Sequence, residues 1–277
     1  MTLIIVLLML IPHLANAQET QNVEKEGSRG EARRRIEEQR QLGEKAIREA
    51  RYQVATNPDS AEAHFNLAET LLKGPINFDE IMDEYLKAIE LKPDYADAHY
   101  RLGLVYANKD KYQKGYDALN KAIQLKPDYA EAYCALGFAY IQKKFGEGHR
   151  LPRTEEESIM AVKAFKKAIQ IKPDLLSAYN GLGEANVYLN QYNEALEAFK
   201  QAALLNPDDI ISHMGMGGVY IELGNKDAAI QEHEALKRIS SQLQRTYKEQ
   251  GLATSSNLAE SYAGYLLKQI QERFVNR

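Results

Sequence analysis

The chain has 277 residues, with 35 Lys and Arg against 39 Asp and Glu, a formal charge of −4 and 44% apolar residues. That is ordinary folded-protein composition, and no basic surplus exists to drive counterion release from nucleic acid, so no nucleic-acid partner is expected. The single cysteine, Cys134, leaves no internal disulfide and no cysteine cage for zinc.

Residues Leu3 to Ile11 form an apolar run, broken by Pro12 and followed by the small residues Ala15 and Ala17 around Asn16. The run is too short for a bilayer core, which needs about twenty helical residues, and fits a signal peptide over 1–17 cleaved before Gln18. The chain is therefore expected to be exported, with no stable membrane anchor once the signal is removed. An uncleaved anchor is the alternative, because the run is preceded by no Lys or Arg. Gln18 stands where a lipoprotein would carry Cys, and no Asn-x-Ser/Thr acceptor occurs, which points to a bacterial periplasmic or secreted protein.

Residues 18–30 are polar without apolar periodicity and read as a flexible spacer. Residues 31–58 follow as an N-terminal charged helix, Glu31 to about Ala55, ending in a half repeat over Ala46 to Pro58. Small or apolar residues at Ala32, Ile36, Gly43, Ala46, Ala50 and Val54 give it one narrow stripe.

From there the prolines set a period. Pro58, Pro93, Pro127, Pro173 and Pro207 are 35, 34, 46 and 34 residues apart, and Leu91-Lys92-Pro93-Asp94, Leu125-Lys126-Pro127-Asp128 and Ile171-Lys172-Pro173-Asp174 nearly repeat. Each interval carries two amphipathic helical patterns. The proline ends the second, since it lacks an N–H and clashes with the preceding turn, and the Asp after it can cap the next helix. Gly103, Gly137, Gly183 and Gly217 recur in the first helix, with Ala68 at the same place earlier. Each glycine costs about 1 kcal/mol of helix propensity, so their recurrence implies that the paired helix comes too close for a side chain. Ala88, Ala122, Ala168, Ala202 and Ala235 recur in the second helix as its seam.

Leu102, Gly103, Tyr106, Gly115, Leu119, Ala122 and Pro127, and again Tyr179, Leu182, Gly183, Asn186, Ala195, Phe199, Ala202 and Pro207, form a pattern that resembles the tetratricopeptide repeat (TPR). The resemblance implies an all-α, right-handed helical-repeat solenoid, a TPR superhelix with an N-terminal charged helix and a C-terminal capping helix. Five units follow, over 61–95, 96–129, 130–175, 176–209 and 210–240. Twelve extra residues fall in the third, at about 143–154, where Lys143, Lys144, His149, Arg150 and Arg153 give positive charge and Thr154 to Glu157 matches a capping box. Residues 241–277 hold an extension of the last helix, since Ser240 replaces the closing proline, and a cap from Thr254 to Phe274.

The resemblance further implies that the first helices line a concave groove. Carried residue by residue onto this chain, the groove would take Phe65, Asn66 and Glu69; Tyr100, Arg101, Leu104 and Asn108; Cys134, Phe138 and Ile141; Asn180, Glu184, Val187 and Tyr188; and Met214, Ile221 and Glu222. The family's clamp for a C-terminal carboxylate is not matched, because Phe65, Glu69, Arg101, Glu131 and Ala135 stand in its places. An extended or helical peptide anchored on Tyr100, Phe138 and Tyr188 is the ligand expected.

The search for chemistry returns fragments. His233-Glu234 begins a zincin motif but Lys237 replaces the second histidine, and Gly181-Leu182-Gly183 begins a dinucleotide fingerprint with Asn186 in place of the third glycine. His64, His99 and His213, where the family prefers Trp or Tyr, read as partly buried hydrogen-bonded core residues rather than metal ligands. No catalytic residue, metal or cofactor is expected. The chain reads as a non-enzymatic scaffold or assembly factor whose partner is another protein or peptide. A self-associating homo-oligomer and an accessory to an envelope-biogenesis enzyme are the alternatives.

Overall fold

The computed structural model describes residues 26–74, 77–108, 111–141, 154–249 and 258–274, and the signal, residues 18–25 and the extra residues 142–153 of the third unit lie outside them. The described residues form twelve helices and no strand: α1 (Glu26–Thr56), α2 (Ala61–Leu71), α3 (Phe78–Leu91), α4 (Ala96–Asn108), α5 (Tyr112–Leu125), α6 (Ala130–Ile141), α7 (Glu155–Ile171), α8 (Leu176–Tyr188), α9 (Tyr192–Leu205), α10 (Ile210–Glu222), α11 (Lys226–Glu249) and α12 (Leu258–Phe274). They divide into two compact units, residues 1–151 and 152–277.

The periodic prolines build one turn five times. Asn57, Lys92, Lys126, Lys172 and Asn206 each accept at their carbonyl the N–H of the residue three on, namely Ser60, Tyr95, Tyr129, Leu175 and Asp209, at 3.0 to 3.2 Å. Each is a β-turn with Pro second and Asp third, the placement that proline's fixed φ favours. The residue before each of the last four prolines closes the preceding helix by donating its N–H to Ala88, Ala122, Ala168 or Ala202, at 2.8 to 3.0 Å. The Asp after proline is thus a turn residue. Where a side chain caps the next helix it belongs to the residue that follows, as Ser60 does for Ala63 N–H and Asp209 for Ser212 N–H.

In unit one, α1 docks by its C-terminal half, where Ile47, Ala50 and Val54 pack on the cluster of Leu67, Leu71, Ile81, Tyr85 and Val105. The helix begins at Glu26, inside the expected spacer, and its stripe uses Ile47 rather than Ala46, which is exposed, as are Ile36 and Leu42. Helices α2 to α5 each pack on the next in chain order. The recurring glycines accommodate side chains: a methyl on Gly103 would come within 2.7 Å of Leu119.

Unit two begins at a capping box, in which Thr154 Oγ1 accepts the Glu157 N–H and Glu157 accepts the Thr154 N–H, each at 3.1 Å. Its seams set rings against helix backbone. A methyl on Gly181 would meet the Phe165 ring at 2.3 Å, and methyls on Gly183 and Gly215 would both meet the Phe199 ring, at 2.6 and 2.5 Å. The seam alanines Ala168 and Ala202 are fully buried, but in the last repeat Leu236, not Ala235, takes that place. α11 runs on to Glu249 without a proline to stop it, and α12 covers its face and that of α10, with Leu266 against Gly217. The His233 ring bonds the Ala263 carbonyl at 2.9 Å and ties α11 to this last helix.

Candidate functional site: the first-helix faces

In unit one, three helices meet at one carboxylate. Glu69 on α2 accepts a hydrogen bond from the Tyr85 hydroxyl on α3, and at 2.7 Å one from Arg101 Nη2 on α4. The Arg101 guanidinium lies 5.8 Å from the Tyr100 ring centroid, and Tyr100 packs on Tyr129 at 5.0 Å. The Tyr129 hydroxyl in turn donates to Asp97 at 2.6 Å, and Lys126 stands 4.3 Å from the Tyr129 ring.

One turn earlier the arrangement recurs with different partners. Phe65 lies against Tyr95 at 4.9 Å and Tyr85 at 5.7 Å, Lys92 stands 4.7 Å from the Tyr95 ring, and Lys92 Nζ pairs with Glu62 at 3.1 Å. In each Lys-Pro-Asp-Tyr turn, therefore, the lysine covers the tyrosine, and the tyrosine covers the aromatic five residues into the preceding first helix. Burial keeps these phenols protonated. It pushes Tyr100 up to about 12 against the opposing charge of Arg101. It raises Tyr85 further with help from the Glu69 carboxylate, and raises Tyr129 with help from its bond to Asp97.

The structure pairs Glu69 with Arg101, sets Tyr100 beside Arg101 and joins Phe65 to them through Tyr85, with Asn66 exposed beside Phe65 on α2. Arg101 donates to the protein through Nη2, and its other guanidinium N–H groups have no partner among the described residues. Leu104, Cys134, Phe138 and Ile141 are corrected from groove to interior: their residual exposures of 5, 2, 2 and 0% leave nothing for a ligand to touch. These helices carry apolar residues on more than one face, so a position counted from the repeat start does not say which face is covered. Asn108 ends α4, and its side chain lies outside the described residues. Tyr95, Tyr129 and Lys126 were missed, although the tyrosine after Lys-Pro-Asp at both places was the available signal.

In unit two, Asn180, Glu184, Val187 and Tyr188 share one face of α8 by their four-, three- and one-residue spacing. Asn180 is buried, donates from Nδ2 to Asp209 at 2.8 Å, and leaves its Oδ1 without a hydrogen-bond partner. Asp209 holds this amide while capping α10 through Ser212 N–H at 2.8 Å. Glu184 accepts from the Tyr188 hydroxyl at 2.7 Å, and its charge adds to burial in raising the Tyr262 phenol of α12. Val187 packs on the Phe199 cluster, while Met214 and buried Ile221 lie in the cluster beneath α12, so these three serve packing. Tyr188 and Glu222 are exposed.

A face of half-buried aromatics edged by carboxylates, amides and a guanidinium can bury apolar side chains and bond a main chain. Among the described residues no three His, Cys, Asp or Glu side chains converge as metal ligands, and no helix is long and apolar enough to cross a membrane. The comparisons with known proteins agree on the repeat. A family model described as "TPR repeat" matches residues 77–110 and 111–144, and one described as "Tetratricopeptide repeat" matches 187–242. Those stretches carry tetratricopeptide repeats. Each of the first two TPR windows pairs a second helix with the first helix that follows it, α3 with α4 and α5 with α6.

No curated protein matches the chain significantly. Among solved structures the chain is similar to PilF of Pseudomonas aeruginosa, at 17% identity and a TM-score of 0.56, covering 83% of this chain and 96% of that one. MamA is similar at 22% identity and a TM-score of 0.55, covering 72% and 99%. YrrB, described as a TPR protein with an unusual peptide-binding site, is similar at 20% identity and a TM-score of 0.52, covering 69% and 92%. At these identities the likeness is one of fold: an all-helical TPR-type repeat protein.

Proposed function

We propose that the chain is a non-catalytic protein-interaction scaffold, exported to the bacterial periplasm or beyond, whose first-helix faces bind a polypeptide. The observation that carries the reading is the face of unit one, where Glu69, Arg101, Tyr100 and Phe65 sit side by side on α2 and α4. Glu69 accepts from both Tyr85 and Arg101, which ties α2, α3 and α4 together at this face and lowers the ordering cost of binding. Arg101 and Asn66 retain polar groups with which to hold a peptide main chain. The peptide-binding site ascribed to YrrB supports the same use of the fold. Export rests on the apolar run and the Ala15-Asn16-Ala17 site.

The test is capture from the native envelope fraction with residues 18–277, compared with the Asn66→Ala/Arg101→Ala variant and with Tyr188→Ala. The reading expects a polypeptide lost in the first variant while the helical circular dichroism is unchanged. The same partners recovered by all three proteins would move binding away from these faces. Self-association is the second reading, favoured by the exposed Ile36 and Leu42 on α1. Light scattering that gives a monomer mass at every concentration would remove it.

A further inference from the structure

His64, His99 and His213 occupy the fourth residue of α2, α4 and α10, and each ring Nε2 lies 3.0 Å from the carbonyl oxygen of the proline six residues earlier: Pro58, Pro93 and Pro207. Two of them make a second contact. His64 Nδ1 lies 2.6 Å from Glu84 on α3, and His213 Nδ1 lies 2.6 Å from Glu232 on α11. Ala118 and Ala198 stand at the place of Glu232 in the second and fourth repeats, and Tyr133 and Tyr179 replace the histidine in the third and fourth. The paired contact thus belongs to the first and last repeats.

At His213 both ring nitrogens face oxygen acceptors, a carboxylate and a carbonyl. A neutral imidazole has one N–H and one lone pair, so it satisfies one of them and turns a lone pair on the other. An imidazolium donates to both. We propose that His213 is a proton-operated latch: doubly protonated, it fastens the Pro207 turn and α10 to α11, and on losing a proton it releases one of the two.

The surroundings match this reading. Glu232 and the Pro207 carbonyl hold His213 above the ordinary histidine range, opposed by burial and by Arg238 on α11. Arg238 is itself paired with Asp208 at 3.3 Å, and Asp209 is engaged by Asn180 and the α10 N-terminus. Of the other helices packed on α10, α9 meets it through the Phe199 ring at Gly215, and its Lys200 and Glu197 pair with each other at 3.2 Å. α12 meets it through Leu266 at Gly217, with Glu260 bonded to Gln244, and on α8 Glu184 is bonded to Tyr188.

The sign follows from linkage. A histidine whose folded pKa is raised stabilises the fold fully below its unfolded value of about 6.5, and the contribution is lost as pH rises through the folded value. The latch is therefore closed in mild acid and loosens toward alkaline pH. The Glu232 carboxylate only accepts, so the neutral ring keeps its one N–H there and frees the Pro207 turn, which also carries Asp209, the residue that orients Asn180 on the α8 face of the candidate site.

The experiment follows the His213 ring by NMR from about pH 5 to about pH 9, a range centred near the ordinary histidine pKa, in the wild type, Glu232→Gln and Glu232→Ala. Amide exchange of α10, corrected for intrinsic rate, is read at both ends of the range. Expected are a midpoint above that of a free histidine, a fall toward it in both variants, and α10 protection that drops with rising pH in the wild type alone. His213→Tyr, which installs the residue of the third and fourth repeats, should give α10 protection independent of pH. A wild-type midpoint at or below the free value, or protection with the same pH dependence in Glu232→Gln, would overturn the latch.

Discussion

The two units fill the same helical seam with different chemistry. In unit one the space between first helices is occupied by phenols and charges: Tyr95 on Phe65, Tyr129 on Tyr100, and Glu69 between Tyr85 and Arg101. In unit two it is occupied by Phe165 and Phe199 set against glycines, with polar contacts such as Asn180 with Asp209, Glu184 with Tyr188 and His213 with Glu232 beside them. A repeat therefore prescribes the separation of its helices but not what fills it. A ring on glycine needs no donor, whereas a buried phenol must find an acceptor. The polar filling also leaves partly exposed charged groups on the face, which is why unit one makes the better candidate surface.

The largest effect should come from the apolar filling. Phe199 is 3% exposed and lies against both Gly183 and Gly215, so Phe199→Ala opens a cavity that the two glycine positions have no side chain to fill. We expect a loss of about 3–5 kcal/mol for unit two, measured by urea unfolding followed through probes in each unit. Unit one should unfold at an unchanged midpoint. Equal losses in both would mean that the units do not melt separately and would dissolve the comparison.

Next comes the polar filling. Tyr85→Phe keeps the ring, yet removes one donor from Glu69 on a fully covered residue. Hydrogen bonds to charged groups contribute about 1.5–3 kcal/mol, and unit one should lose that much with its helical content intact. A loss below about 0.5 kcal/mol, the level of an ordinary surface change, would show that the carboxylate is held by Arg101 alone.

How far these features were legible in the sequence differs for the two fillings. Helix ends at the prolines, the capping box at Thr154 and the glycine register could be read because each depends on local backbone chemistry. The all-helical repeat fold followed from their period. The candidate site was legible only in part. Glu69 and Arg101 pair beside Tyr100, and Phe65 joins them through Tyr85, but Leu104, Phe138 and Ile141 are interior, because register within a repeat does not report which faces become covered. The turn tyrosines do not stand out in the sequence, because Lys-Pro-Asp already accounts for the helix stop without the residue after it. Ala235 and Ala46 each stand one residue off the covered position, taken by buried Leu236 and half-buried Ile47. A small residue beside a large one satisfies a sequence pattern equally well, and only packing separates them.

A third test uses alkali. Tyr85 and Tyr100 are held protonated by burial, so the folded state binds protons that the unfolded chain releases above about pH 10. The sign is that of a raised pKa: the stabilisation is present below that value and lost as pH rises above it. Each phenol that stays protonated should cost unit one about 1.4 kcal/mol per pH unit beyond that point. Phenolate absorbance should then appear for these residues together with unfolding, in one step. Their ionisation in a chain that keeps its helical signal would show the seam to be open to water.

The smallest effect expected is the informative counterpart of Tyr85→Phe. Tyr188 also donates to a carboxylate, Glu184, at 2.7 Å, but it is 37% exposed at the C-terminal end of α8, and donor and acceptor lie four residues apart on one helix. Water can replace the phenol there, and a pair of this spacing on a helix surface contributes about 0.2–0.5 kcal/mol. Tyr188→Phe should therefore shift the unfolding of unit two by no more than about 0.5 kcal/mol, against the several-fold larger loss expected for the same atom removed from unit one. The ratio of the two losses measures burial with the chemistry held constant. A loss at Tyr188 as large as that at Tyr85 would mean that the hydroxyl on α8 is part of a polar seam after all, and the division between a polar and an apolar filling would fall.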